Sequence, residues 1–170
     1  MSWQEPWRFA SSLLLHGSFG HLLYNMFALA LFGSLLEKFI GGRKFVLVFF
    51  ISGIIANLIG INFYDSSLGA SGAIYGVFGV LMVIRPGMIV WAAGFPMPML
   101  IAGFVWAAGD LIGLFIPSNI GHIAHLSGMI AGLFYGIFVR VRYKEKRKSD
   151  NRIIIDERDV RRWEDYYMKD

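Results

Sequence analysis

The sequence predicts an all-α membrane protein, a polytopic helical bundle with five transmembrane helices, and three observations carry that expectation. Hydrophobic residues make up 56% of the 170 and mean hydropathy is +0.55, too apolar for a soluble domain of this length. Charge is segregated: nineteen of the Asp, Glu, Lys and Arg residues fall between Arg140 and Asp170, and nine precede them. The first 139 positions then divide into apolar stretches of the length that crosses a hydrocarbon layer, about 20 residues for about 30 Å. The formal net charge of +4 is mainly a property of the tail, so no nucleic-acid partner is expected. With no cysteine, disulfides and thiolate metal sites are excluded.

The first span runs from about Ser12 to Leu36 and the second from Phe45 to Tyr64. Leu68 to Ile84 is a third, short one. Met88 to Ile116 is interrupted by Pro96 and Pro98, which lack the amide donor a helix needs, so its span starts near Met99. The last runs from Ile123 to Val139. Lys38, Arg43, Lys44, Arg85 and the run from Arg140 to Lys148 all fall at span ends on one side, which the positive-inside rule makes cytoplasmic. Residues 1–139 are therefore expected to form a transmembrane domain in the cell membrane. Residues 140–170 form a charged cytoplasmic C-terminal tail whose first basic run faces anionic headgroups. Met1 to Arg8 is polar and lacks the pattern of a cleavable signal peptide.

Polar residues inside the spans can be ranked by depth, counting back from the first inner charge at the helical rise. Ser71 stands about 21 Å above Arg85 and His125 about 22 Å above Arg140, while Asn25 and His21 stand about 20 and 25 Å above Lys38. Four polar side chains from three helices thus share one layer, and polar groups at such depth need partners. Ser71 alone reads as a packing serine bonded to a carbonyl one turn back. Beside His125, Asn25 and His21, a chemical reading is favoured: a neutral imidazole can take a serine proton, and Asn, His and the free N–H groups at a helix start can face an oxyanion. Gly69 and Gly72 let the chain enter that helix tightly.

Glycines supply the close approach this chemistry needs. His125, Gly128, Gly132 and Gly136 lie on one helix face, and Gly72 and Gly76 form a similar stripe below Ser71. Such small-residue faces let membrane helices pack closely. Tyr75, one turn below Ser71, is placed to stack on the His125 ring.

Trp7 and Arg8, HGSFGHLLYN from His16 to Asn25, Glu37, GASG with Tyr75, and AHLSGMIAG from Ala124 to Gly132 occur in this order. In this pattern the chain resembles the rhomboid family of intramembrane serine proteases, over most of residues 7–139. The resemblance implies a rhomboid-like bundle with Ser71 as nucleophile and His125 as general base, a dyad without an acidic third member. It implies His21 and Asn25 as oxyanion-hole side chains, with His16, Arg8 and Glu37 structural. It also implies cleavage of transmembrane protein substrates near the outer end of their helix within the lipid bilayer, without metal or cofactor. The family's usual core has six helices, and the resemblance leads to the expectation that the first of them, preceding the Trp7–Arg8 loop, is missing here, with five spans visible. The alternative is a non-catalytic rhomboid-like protein that binds transmembrane helices, and a third class is a small channel using the same polar layer. Relatives of the binding class typically lack the serine or the histidine, and a channel would need charges through the inner halves.

Among the remaining candidates, His122 is expected at the outer interface, Asp110 in a solvated structural role, and Trp3, Trp7, Trp91 and Trp106 in an aromatic belt. The FVLVFF stretch from Phe45 to Phe50 is expected to face lipid.

Overall fold

The computed structural model describes residues 4–64, 67–150 and 157–167. Trp3 and Asp65 lie outside these, as do the tail residues 151–156 and 168–170. Two compact units are distinguished, Met1–Arg140 and Val141–Asp170. The second holds the end of a long helix and a short one, Glu157–Tyr167, with Arg161 and Glu157 paired across one turn.

The first unit opens with α1 (Arg8–Ser11) and a 3₁₀ turn (Ser12–Leu14), then an extended residue, Leu15. The first long helix therefore begins later than the span expected from Ser12. Ser18 supplies the reason: its backbone is extended and its Oγ accepts the N–H of His21 at 3.1 Å, capping α2 (Phe19–Ala28). A π-helical segment, Leu29–Gly33, links α2 to α3 (Ser34–Ile40). Gly41, at φ 83°, then lets the chain turn directly into α4 (Gly42–Gly60). After the loop come α5 (Ser71–Ile84), α6 (Met99–Gly113) and α7 (His122–Asp150), with the short α8 (Glu157–Tyr167) in the second unit.

Among the described residues, three helices are long and apolar enough to cross a membrane: Phe19–Ile40, Gly42–Gly60 and His122–Arg140. The other two apolar helices, Ser71–Ile84 and Met99–Gly113, are shorter. At 14 residues, α5 reaches only about 21 Å. Between α5 and α6 lies an antiparallel hairpin, β1 (Ile89–Ala92) with β2 (Phe95–Pro98). The prolines that end the helical reading are part of it: Pro96 pairs opposite Trp91, and Pro98 stands immediately before Met99. Ala93 and Gly94 both take positive φ at its tip, the geometry of a tight two-residue hairpin turn.

Packing runs through α5, which is buried along most of its length, with Val77, Val80 and Leu81 fully enclosed. Its partners on one side are the small residues of α4: a Cβ on Gly72 would strike Ala56, and one on Gly76 would overlap Ser52. On the other side α7 meets it backbone to backbone, because a Cβ on Gly128 or Gly132 would overlap the carbonyl oxygen of Gly72 or Gly76. Without a hydrophobic force between helices in lipid, close van der Waals contact of this kind holds a bundle together. Other large side chains, among them Phe27, Phe104 and Phe134, face outward.

Two expectations about aromatic residues change. Trp106 stacks on Phe78 at 4.3 Å, with Phe32 edge-on at 5.5 Å, so it fastens α6 to α5 rather than serving a belt. In the FVLVFF stretch, Val46 and Leu47 are exposed, but Val48 and Phe49 are buried in the core. A helix contacting neighbours on one side cannot present six consecutive residues to lipid.

Candidate active site

The site is built where α5 starts. Gly69 takes φ 115°, a left-handed conformation that only glycine adopts readily, and its N–H donates to the Ser12 carbonyl at 3.0 Å. Ala70 then leads into α5, and Ser71 is its first residue. The first N–H groups of a helix have no partner within it, so the backbone at Ser71 can donate outward.

Asn57, buried in α4, secures this turn from beneath. Its Nδ2 donates to the Phe9 carbonyl at 2.8 Å and to Ser12 Oγ at 3.0 Å, while its Oδ1 accepts from Ser67 Oγ at 3.0 Å. Three separate chain segments thereby meet at one amide. Asn57 lies about 20 Å above Lys44 at the helical rise, in the layer of the other polar residues, so the depth count that found Ser71 would also have found it. Asn57→Ala removes three hydrogen bonds at once, to Phe9, Ser12 and Ser67, and is expected to lower stability by about 1–3 kcal/mol. Equilibrium unfolding in mixed micelles checks this; an unchanged midpoint would show the amide to be dispensable.

Ser71 Oγ lies 2.8 Å from His125 Nε2 across the α5–α7 contact. The His125 ring is held from a second direction by Tyr75, stacked at 4.4 Å and 11°. Gly72 and Gly128, one turn along each helix, are the contact points that bring the pair within reach. His21 approaches the turn before Ser71 so closely that a Cβ on Gly69 would stand 2.7 Å from its Cε1. The His16 ring packs edge-on against His21 at 5.1 Å, and both His16 ring nitrogens are sheltered without a hydrogen-bond partner among the described residues. Asn25 is buried on α2, where its Nδ2 donates to the His21 carbonyl at 2.8 Å.

Asp110 departs from its expected solvated position. It is 5% exposed, and its Oδ1 lies 3.0 Å from His125 Nδ1 and 2.6 Å from His122 Nδ1. His122, expected at the interface, is instead folded over this carboxylate, with Nε2 3.0 Å from Ser118 Oγ. The reversal comes from the connection: after Gly113 the chain turns back through Ser118 and Gly121, bringing the end of α6 against the start of α7. The Tyr64 hydroxyl accepts the Ile123 N–H at 3.0 Å and ties that start to the end of α4. Asp110, His122 and His125 are also the one group among the described residues whose donor atoms lie close enough, within 4.8 Å, to share a metal ion. Both imidazoles meet the same oxygen, Oδ1, while Asp110 Oδ2 is buried without a hydrogen-bond partner among the described residues.

An apolar helical bundle holding a half-buried Ser–His contact between two of its helices defines an integral membrane protein with a hydrogen-bonded centre. The chain belongs to the rhomboid family: the rhomboid domain profile matches residues 3–142. It is 37% identical over 151 residues to YdcA of Bacillus subtilis, described as a rhomboid protease candidate, covering 84% of this chain and 71% of that one. It is 30% identical over 137 residues to the rhomboid protease GlpG of Haemophilus influenzae, covering 78% and 69%. Similarity extends to RHOMBOID-like protein 4 of Arabidopsis thaliana, 30% identical over 140 residues, although the chain spans only 35% of that relative's length.

Proposed function

We propose that this protein is an intramembrane serine endopeptidase that cleaves transmembrane segments of membrane proteins, with Ser71 as nucleophile and His125 as general base. The observation that carries this reading is the 2.8 Å contact between Ser71 Oγ and His125 Nε2. With its Nε2 lone pair free, the imidazole takes the hydroxyl proton as Oγ attacks the scissile carbonyl, and returns it to the leaving amine. Water then hydrolyses the acyl-enzyme, with the same nitrogen as base.

The developing oxyanion falls near the start of α5, where the Ser71 N–H and the positive end of the helix dipole favour negative charge. His21 and Asn25 add side-chain donors from α2. The short α5 starts below the outer surface, so a substrate helix must unwind near its outer end to reach the serine. In this reading the five apolar helices all cross the cell membrane, and residues 140–170 extend into the cytoplasm.

Reconstitution into liposomes with a fluorogenic single-pass substrate tests the proposal. Cleavage near the substrate's outer helix end is expected, and intact substrate beside folded enzyme would overturn it in favour of a helix-binding role. His21→Ala and Asn25→Ala are each expected to lower kcat by about 10²–10³, the usual cost of one oxyanion donor. Full kcat in both variants would leave the oxyanion to backbone donors alone.

A further inference from the structure

We propose that Asp110 is a positioning residue for the Ser71–His125 pair, making the site a Ser–His–Asp arrangement with a second imidazole, His122, sharing the carboxylate. This rests on the protease reading given above and adds to it a role for a helix that carries neither of the reacting groups.

The geometry forms one continuous chain of contacts. Ser71 Oγ meets His125 Nε2 at 2.8 Å, and His125 Nδ1 meets Asp110 Oδ1 at 3.0 Å. The same oxygen meets His122 Nδ1 at 2.6 Å, and His122 Nε2 meets Ser118 Oγ at 3.0 Å. A carboxylate can only accept hydrogen bonds, so both imidazoles donate through Nδ1–H. A neutral imidazole carries one N–H, and a proton on Nδ1 leaves Nε2 as the acceptor. For His125, that is the tautomer able to take the serine proton. For His122, Nε2 is free to accept the Ser118 hydroxyl, which satisfies the far end of the chain.

Asp110 also holds the ring in place. The Tyr75 ring confines the His125 imidazole to one plane by stacking at 4.4 Å, but stacking leaves rotation within that plane free. The Nδ1 to Oδ1 bond removes this freedom and aims Nε2 at Ser71. As His125 takes up the proton in the transition state, the carboxylate stabilises the resulting imidazolium. With 5% of its surface exposed, the carboxylate is poorly screened by water, and electrostatic interactions are strongest in such surroundings.

His122 keeps the carboxylate itself from wandering. Donation from a second ring at 2.6 Å orients Oδ1 between the two histidines. The turn through Ser118 and Gly121 is therefore part of the site, because it folds the start of α7 back over the end of α6.

The test uses the full chain in detergent micelles, labelled with ¹⁵N-histidine. Only four histidines are present, and His125→Gln assigns the His125 signals. Wild-type His125 is expected as the Nδ1–H tautomer with Nε2 unprotonated, at a pH where the rings are neutral. Asp110→Asn is expected to add or substitute the Nε2–H tautomer. It should lower kcat by at least about 10²-fold with KM unchanged, toward the roughly 10⁴-fold loss that the same change causes in a Ser–His–Asp triad. A purely structural carboxylate would leave the tautomer alone. Wild-type His125 in the Nε2–H form would overturn the proposal without recourse to any variant, as would an Asp110→Asn protein with unchanged tautomer and kcat. If wild type cleaves nothing yet its His125 tautomer changes in Asp110→Asn, the positioning role stands and the protease reading fails.

Discussion

Ser71→Ala is expected to abolish substrate cleavage and covalent labelling by a fluorophosphonate while the protein stays folded. The hydroxyl contributes one hydrogen bond, to His125 Nε2, and a neutral hydrogen bond of this kind contributes about 1 kcal/mol net to stability. Its chemical contribution is far larger, because among the described residues Ser71 offers the one hydroxyl hydrogen-bonded to that imidazole. Loss of the nucleophile in a serine protease lowers kcat by about 10⁶, and loss of the base costs about the same. His125→Ala should therefore match Ser71→Ala, and the double variant should be no worse than either, since the two act as a unit. Mass spectrometry of the labelled protein locates the adduct on Ser71. Cleavage by Ser71→Ala at the wild-type rate would refute the assignment outright.

The second large effect is structural. Gly132→Leu on α7 is expected to destabilise the bundle by at least about 3 kcal/mol, the upper end of the usual overpacking cost. A Cβ at this position would overlap the Gly76 carbonyl oxygen and approach the Gly76 carbonyl carbon and Cα. Those are backbone atoms, which cannot rotate out of the way as a side chain could, so α5 and α7 must move apart. Ser71 and His125 ride on these two helices, and a shift of an ångström or more lengthens their 2.8 Å contact beyond hydrogen-bonding distance. Stability and labelling should fall together. Gly109→Ala on α6 is the control: nothing lies within 4 Å of a Cβ there, and alanine favours helix over glycine by about 1 kcal/mol. Gly132→Leu unfolding at the wild-type midpoint would show that the helices are not in the contact described.

Much of this site was legible before any fold was known. Depth along each span placed Ser71, His125, Asn25 and His21 in one layer, because an α-helix rises a fixed distance per residue whatever its neighbours. The glycine stripes marked the faces of α5 and α7 that meet. Asn57 is equally legible by depth. The π-helical link at Leu29–Gly33 and the hairpin at Ile89–Pro98 were not foreseen. For the hairpin, Ala93–Gly94 at its tip is a weaker turn signal than the asparagine–glycine or aspartate–glycine pairs that mark such turns.

Asp110 shows where local reading stops. Its position near the outer end of its helix pointed to water, and depth says nothing about which way a side chain faces around the helix axis. That rotation is set by Trp106 stacking on Phe78 and by the loop that returns α7 over α6. The sequence by itself determined that the protein is an apolar, helical membrane protein and gave the expected level of the polar residues, since these follow from apolar composition, bilayer thickness and helical rise. Only the tertiary structure decided which helices lie side by side and that Asp110 turns inward to His125. Lateral packing is a property of surfaces distant in the chain, and no single stretch of sequence contains it.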